Sequence, residues 1–218
     1  MLVWSTLGVM LLLFMQQLRC AETQGCPTDK PPVWPLRFKV LQRRVPDDDP
    51  DCSKGSCANV TTYYDWEKQG NLIIDVPDSA SASGPMHDLE LGNRHSYYFY
   101  PVVKQCNFME FPVGILRRDW LKDATFMGKS EVRGRAVIGW TKVDFIDYYV
   151  DPDDCSPVSW HFHTMKTSFH TQQWSEGEAV PDASFFEPPE YCPNRTSSQT
   201  VQLEDESSSQ VALPTLTV

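Results

Sequence analysis

Alternation of apolar and polar residues is the main pattern in the middle of the chain. Residues 135–150 read RAVIGWTKVDFIDYYV, and after DPDDCSP a second run, VSWHFH, occupies residues 158–163. Successive side chains of a β-strand point to opposite faces, so this alternation is typical of an antiparallel sheet with one buried face. It predicts two long strands joined by an acidic turn.

Similar runs predict shorter strands on both sides of this stretch. They are LRFKV, a hairpin of ANVTTYYDW and LIIDV, the pair HSYYFYPVV and CNFMEF, a hairpin around Arg133-Gly134, and a closing strand TSFHTQQWSEG. Residues 78–94 are small, polar and punctuated by Gly and Pro, which predicts a loop. Residues 112–124 break the alternation and predict a short helix or helical turn. The predicted fold class is mainly β: a curved antiparallel sheet with one or two short helices.

The two ends of the chain differ from this pattern. Residues 1–20 contain LGVMLLLFM, which is too short to span a bilayer but suits a signal peptide, cleaved after Cys20 or Ala21. A retained membrane anchor is the alternative. Residues 21–192 are then predicted to form a single β domain. Residues 193–218 are rich in Ser, Thr, Gln and acids, a composition that predicts a disordered tail.

Cysteine usage agrees with the secretory pathway, where disulfides persist. Six cysteines remain after the signal, and all are disulfide candidates: Cys26, Cys52, Cys57, Cys106, Cys155 and Cys192. Six cysteines allow about fifteen pairings, so the connectivity stays open. Cys52 and Cys57 are predicted to form a local pair, and Cys192 is expected to join the end of the domain to an internal strand.

Two glycosylation sequons agree with the same compartment. They begin at Asn59 and Asn194, and each predicts an exposed position.

The net charge of -10 argues against nucleic acid as a partner, because a phosphate backbone requires clustered Lys and Arg. Acidic residues gather at residues 46–51, 151–154 and 204–206. None of these segments matches a calcium-binding EF-hand loop, and solvated loops are the simpler interpretation. No cofactor is expected from the residues themselves.

Aromatic side chains favour a ligand pocket on the concave face of the sheet, since apolar clefts with a few polar groups are the usual ligand sites. The alternative is that they fill a core, which any such fold requires. The candidate pocket residues are Trp66, Tyr98, Tyr100, Phe108, Trp120, Trp140, Phe145, Tyr149, Trp160 and Phe162.

Metal binding and catalysis have weaker support in the sequence. His161 and His163 are two apart and share one face of a strand, so both could bind zinc with a third ligand such as His170 or Asp147. Paired histidines on a solvent-facing strand are the alternative. The usual hydrolase, metalloprotease and nucleotide-binding motifs are missing. Asp144 and Asp147 are three apart, which argues against a catalytic carboxyl pair on a regular strand.

Several motifs carry a resemblance to known proteins. They are ILRRDWLKDATFMG, WTKVDFIDYY, PVSW and FEPPEYC, with YDW upstream. Over residues 61–192 the chain resembles a family of uncharacterised secreted proteins from plants and algae. The order of these motifs is also similar, more distantly, to the ependymin-related secreted glycoproteins. That resemblance implies a strongly curved half-barrel sheet like that of bacterial lipoprotein carriers, a deep apolar pocket, and a possible association with calcium.

These observations favour a secreted, non-enzymatic binding protein that holds a hydrophobic or amphipathic ligand in the concave face of the sheet. The expected partner is a hydrophobic small molecule or lipid. A membrane would be contacted only through an uncleaved signal, and the oligomeric state is open. Two alternatives remain: a secreted hydrolase or metal-dependent enzyme that uses His161, His163 and nearby acids, and an extracellular matrix or adhesion module that works through its surface.

Overall fold

The computed structural model describes residues 25–177 and 183–193. The predicted signal peptide and, beyond Pro193, the predicted tail lie outside these residues. The described chain forms strands β1 (Arg37–Pro46), β2 (Ala58–Asp65), β3 (Gly70–Pro77), β4 (Met86–Leu91), β5 (His95–Tyr100), β6 (Gln105–Glu110), β7 (Thr125–Val132), β8 (Arg135–Lys142), β9 (Ile146–Val150), β10 (Pro157–Phe162) and β11 (Thr167–Glu176), and a short 3-10 helix at Ala183–Phe186. No helix within these ranges is long and apolar enough to cross a membrane.

All eleven strands belong to one antiparallel sheet with the order β6-β5-β4-β3-β2-β1-β11-β10-β9-β8-β7. Strands β1 to β6 and strands β7 to β11 form two meanders, because each strand pairs with its neighbour in the chain through a short connection. The pairing of β1 with β11 joins the two meanders in the middle. Strands β6 and β7 are the two edges of an open sheet, and the predicted mainly β, antiparallel fold is confirmed.

Turn residues explain where the strands end. Arg133 and Gly134 both have positive φ, 52° and 79°, as a two-residue hairpin of the right twist requires, and the predicted β7–β8 hairpin is confirmed. The prediction of one long strand over residues 135–150 is wrong. A second turn, with Asp144 at φ 61°, divides the run into β8 and β9. Asp tolerates this left-handed conformation, so the turn forms without a Gly or Pro. The sequence therefore gave no sign that the strand ends here.

Residues 78–94 contain a strand where a loop was predicted. Strand β4 pairs with both β3 and β5. Its sequence is MHDLEL, and Asp88 and Glu90 on one face are half-buried acids. These acids, inside a stretch of small polar residues, are not typical of a buried strand. Composition therefore gave a wrong prediction for this segment.

Residues 112–124 form a series of turns that crosses the sheet. The backbone amides of Trp120, Lys122 and Ala124 donate to carbonyl groups three residues earlier. Each turn is tight, but the bonds do not continue into a regular helix. Ile115, Trp120 and Leu121 are nevertheless buried in the larger hydrophobic cluster, so the segment covers part of one face of the sheet.

One face of the sheet, called the concave face below, carries the larger hydrophobic cluster. The ring of Trp34 lies 5.2 Å from that of Tyr64 on β2 and 5.7 Å from that of Trp160 on β10. These strands are three positions apart in the sheet, roughly 14 Å at the usual strand spacing. The sheet therefore curves around Trp34, with Phe38 and Tyr148 completely buried in the same cluster.

The opposite, convex face is covered by the C-terminal segment. Leu72, Leu89 and Phe99 form a second cluster there with Phe186 and Cys192. Three disulfides complete the fold: Cys26–Cys155, Cys52–Cys57 and Cys106–Cys192. The predicted local pair and the predicted tie from Cys192 to a strand are both confirmed.

Candidate functional site

A cleft of about 350 Å³ opens on the concave side, between the Pro-rich segment before β1 and strands β9 and β11. We call it the N-terminal cleft. It is lined by Pro27, Lys30, Pro31, Pro32, Val33, Trp34, Pro35, Tyr148, Asp154, Cys155, Pro157, Trp174 and Glu176. Its volume falls at the lower end of the usual range for small-molecule sites, about 300 to 1,000 Å³.

The Pro-rich segment is held over the sheet at several points. Proline fixes φ and removes backbone donors, so this segment cannot join the sheet or form a helix. The backbone amide of Trp34 instead donates to the carbonyl of Arg118 at 2.9 Å, and Arg118 Nε donates back to the Trp34 carbonyl at 2.7 Å. The Cys26–Cys155 disulfide ties its start to the turn after β9. The roof of the cleft is therefore anchored at both ends.

The lining combines apolar walls with a few polar groups. Proline rings and the half-buried indole of Trp174 form the walls, and Trp174 Nε1 donates to Glu176 at 3.2 Å. Lys30, Asp154 and Glu176 place charges of both signs at the cleft. Such a lining suits a ring or short alkyl chain that carries a polar group.

The ten predicted pocket residues are placed elsewhere. Trp120, Trp140 and Trp160 are core residues of the concave cluster, and Trp66 and Phe162 pack against it. Phe145 contacts Trp120 and Phe162 at the rim. None of the ten lines the N-terminal cleft as the described residues form it.

The remaining predicted residues are dispersed. Tyr98 and Tyr100 lie on the concave side of β5, far along the sheet from the tryptophans. Phe108 packs with the convex cluster, and the register places Tyr149 on the convex side, opposite Gly139 and Ser159. Trp34 and Trp174 line the cleft but were not among the predicted pocket residues. A tryptophan enclosed by prolines in PPVWP was the available signal for the first.

The concave side of β3 and β4 carries an acid patch, consisting of Asp75, Asp88 and Glu90. The register places Glu90 opposite Asn71, which is itself opposite Tyr64, so the patch continues the concave face. Burial, and then the neighbouring Glu90, raise the pKa of Asp88 to about 8. One Asp88 carboxyl oxygen is buried without a hydrogen-bond partner among the described residues.

The other two acids of the patch have partners. Burial raises the pKa of Glu90, and the Asn71 amide, which donates at 2.8 Å, opposes that rise. Burial also raises the pKa of Asp75, opposed by Arg44, whose Nε lies 3.2 Å from the carboxylate. Asp88 is therefore the member of the patch that most resists ionisation.

The histidines considered for zinc lie on the convex face and pair with other groups. His163 Nε2 is 3.0 Å from Asp147, His161 Nδ1 is 3.1 Å from the Ser168 hydroxyl, and His170 Nδ1 is 3.0 Å from the Ser159 hydroxyl. Within residues 25–177 and 183–193, no group of three His, Cys, Asp or Glu side chains is arranged to hold a metal ion.

The acidic loops considered for calcium use their carboxylates internally. Asp49 accepts a hydrogen bond from the Ser56 hydroxyl at 2.6 Å and others from the backbone amides of Lys54 and Ser56. The bond from the Ser56 hydroxyl, and then those from the amides, lower the pKa of Asp49 to about 2. Asp151 accepts from Arg135 at 2.6 Å and from the amide of Asp153 at 2.8 Å. Both carboxylates thus stabilise their own loops. Residues 204–206 lie outside the described residues.

Fold and clefts together define a disulfide-bonded, open antiparallel sheet with a small cleft on its concave side. The chain belongs to the family described as "Domain of unknown function (DUF8395)", which matches residues 33–192. No curated protein matches the sequence. Among solved structures, an uncharacterized conserved protein from Thermus thermophilus is similar, with 7% identity and a TM-score of 0.48, over 71% of this chain and 86% of that one.

Proposed function

We propose that the protein binds a small amphipathic ligand in the N-terminal cleft and does not transform it. The observation that carries this proposal is the cleft itself, whose Pro and Trp walls end at Lys30, Asp154 and Glu176. The apolar part of a ligand would pack on Trp174 and the proline rings, and its polar end would pair with these charges. The resemblance to ependymin-related proteins supports the same class of ligand.

Secretion is part of this proposal. Three disulfides fit an oxidising compartment, and the exposed sequon residue Asn59 on β2 is available for glycosylation. Mass spectrometry of the protein purified from the medium of a eukaryotic host would test both points. A glycan on Asn59 and an N-terminus at residue 21 or 22 are expected. Intracellular retention of an unmodified chain would contradict this part of the proposal.

Ligand binding can be tested with octanoate, octylamine and octanol, which share one alkyl chain and differ in the polar end. Calorimetry is expected to give saturable binding for at least one of them. Trp174→Ala should weaken that binding by at least about tenfold, since it removes one wall of the cleft. Trp66→Ala, a half-buried tryptophan outside the cleft, is the matched control. Absence of binding by all three probes, or equal weakening in both variants, would refute the proposal.

Acid–base catalysis at the acid patch is a second candidate function. The observation that favours it is the Asp88 carboxyl, which keeps its proton near neutral pH beside Glu90. The two residues are two positions apart on β4, so their carboxyl groups project from the same face of the strand. Glycoside hydrolases use a pair of carboxyl groups that flank the bond they cleave. Release of nitrophenol from a panel of aryl glycosides, lost in Asp88→Asn and kept in the exposed control Asp29→Asn, would support it. If the wild-type protein releases no nitrophenol from any glycoside of the panel, this second candidate function is rejected.

A further inference from the structure

A second cleft, of about 260 Å³, lies where the tip of the β7–β8 hairpin meets strands β1, β10 and β11. We call it the cationic cleft. It is lined by Arg43, Val132, Arg133, Arg135, Val158, His170, Thr171 and Gln172. Three arginines and a histidine thus line one cleft of a chain whose net charge is -10.

Two β-bulges shape this cleft. In the β1–β11 pairing the register moves from Leu41↔Gln173 to Gln42↔Thr171, which leaves Gln172 as the extra residue. In the β9–β10 pairing Val158 is the extra residue, between Pro157 and Ser159. Bulges redirect side chains and are common beside functional sites. Both bulged residues line the cationic cleft, so two separate irregularities of the sheet meet at one place.

The three arginines are not equally engaged. Arg43 donates to both carboxylate oxygens of Asp78, and Arg135 donates through one nitrogen to Asp151 at 2.6 Å. A guanidinium has five donors, so both retain donors beyond these pairs. Arg133 has no carboxylate partner within the described residues, and it stands exposed at the hairpin tip. Its charge is available to a ligand.

His170 is the titratable imidazole that lines the cationic cleft. Its Nδ1 pairs with the Ser159 hydroxyl, and its pKa is lowered first by burial and then by Arg133 and His161. Arg133 therefore acts electrostatically on the imidazole. An anion placed among these cations would reverse the effect and raise the pKa of His170.

We propose that the cationic cleft binds an oxyanion, the sulfate, phosphate or carboxylate group of a small molecule or oligosaccharide, with Arg133 as its principal partner. A guanidinium matches two oxygens of such a group with parallel N–H donors. Thr171 and Gln172 supply uncharged hydrogen-bonding groups at the same cleft. The site is separate from the N-terminal cleft, and its occupation does not depend on the function proposed above.

The test is an NMR titration of the His170 imidazole with sodium sulfate, sodium phosphate, sodium citrate and a sulfated disaccharide, at constant ionic strength in chloride. Saturable shifts and a higher His170 pKa are expected for at least one of the four. The simple salts and the disaccharide distinguish recognition of the bare oxyanion from recognition of a sulfated sugar. Arg133→Gln should weaken binding by at least about tenfold, because a charge-assisted bond is lost.

Lys129→Gln is the matched control, because Lys129 is exposed on the same hairpin but does not line the cleft. It removes the same charge and should change the affinity less than twofold. Arg133→Lys keeps the charge without the planar donor pair and should fall between the wild type and Arg133→Gln. Linear, non-saturating shifts with all four probes would overturn the proposal. Equal weakening in Lys129→Gln and Arg133→Gln would also overturn it, since it would indicate general electrostatic attraction.

Discussion

The indole Nε1 of Trp34 donates a buried hydrogen bond of 2.9 Å to the phenol oxygen of Tyr148, 114 positions later in the chain. The bond joins the Pro-rich segment to the middle of β9. Both residues also line the N-terminal cleft. One contact therefore closes the concave core and fixes the roof of the candidate ligand site.

Replacing Trp34 by Phe keeps an aromatic ring in the core but removes the donor. The buried Tyr148 oxygen would then lose this donor, and we expect the free energy of unfolding to fall by about 1 to 3 kcal/mol. Urea unfolding followed by circular dichroism measures this change. The variant should also loosen the Pro-rich segment over the cleft and lower the affinity of the cleft for a ligand.

Tyr148→Phe and the double variant separate the hydrogen bond from the change in packing. The single change leaves the Trp34 donor unpaired, so its cost should be similar, and the double variant should lose less than the sum of the two. Additive losses would mean that the hydrogen bond contributes nothing beyond packing.

The Asp88 carboxyl makes stability depend on pH. In the unfolded chain its pKa is near 4, and in the folded protein it is about 8. Between these values the folded state binds more protons, so the free energy of unfolding should decrease as the pH rises from about 4 to about 8. Asp88→Asn removes this contribution, and it should be more stable than the wild type at pH 8 by at least about 1 kcal/mol.

Urea unfolding of both proteins at intervals from pH 4 to pH 8 measures the difference. The gap between Asp88→Asn and wild type should widen with pH. Asp29→Asn, which alters an exposed carboxyl, serves as the control and should follow the wild type. A constant gap across this range would show that Asp88 ionises normally in the folded protein.

Local patterns were sufficient for most of the sheet. The Arg133-Gly134 turn follows from two-residue hairpin geometry, and strand β2 follows from its period-two burial. Strand β4 was missed because two of its three concave-facing residues, Asp88 and Glu90, are acids that the fold partly buries. Burial of these acids depends on neighbouring strands, whose contacts cannot be read from a short window of the sequence.

The clefts were harder to predict than the strands. The aromatic residues chosen for a pocket, such as Trp140 and Trp160, are the core itself, since the largest apolar side chains fill the curve of the sheet. The N-terminal cleft depends on the position of a segment without secondary structure. The Cys26–Cys155 disulfide helps to fix that position, and it joins residues 129 positions apart in the chain. The cationic cleft depends on two bulges, which alternation cannot reveal.

Gly70, at the start of β3, is in close contact with the C-terminal segment. A Cβ at this position would lie 2.5 and 2.7 Å from the Cδ1 and Cδ2 atoms of Phe186, which is itself buried. Gly70→Ala must therefore displace that ring, and we expect a loss of about 1 to 3 kcal/mol in urea unfolding. Phe186→Ala alone should cost about 3 kcal/mol, because it leaves a cavity. In the double variant the methyl group added at position 70 no longer meets the Phe186 ring. The double variant should therefore lose no more free energy of unfolding than Phe186→Ala alone. A fully additive loss would contradict this packing.

The disulfides should differ in their contribution according to the length of chain that they close. Cys106–Cys192 spans 86 positions and Cys52–Cys57 spans 5. The loss of chain entropy in the unfolded state predicts about 4 to 5 kcal/mol for the first and about 2 kcal/mol for the second. Paired Cys→Ala variants, compared by urea unfolding, measure both values. Removing Cys106–Cys192 also frees the segment that carries Phe186 from β6, so its cost should exceed that of the local pair by at least about 2 kcal/mol. If the two pairs cost the same, the C-terminal segment is held on the convex face by packing alone.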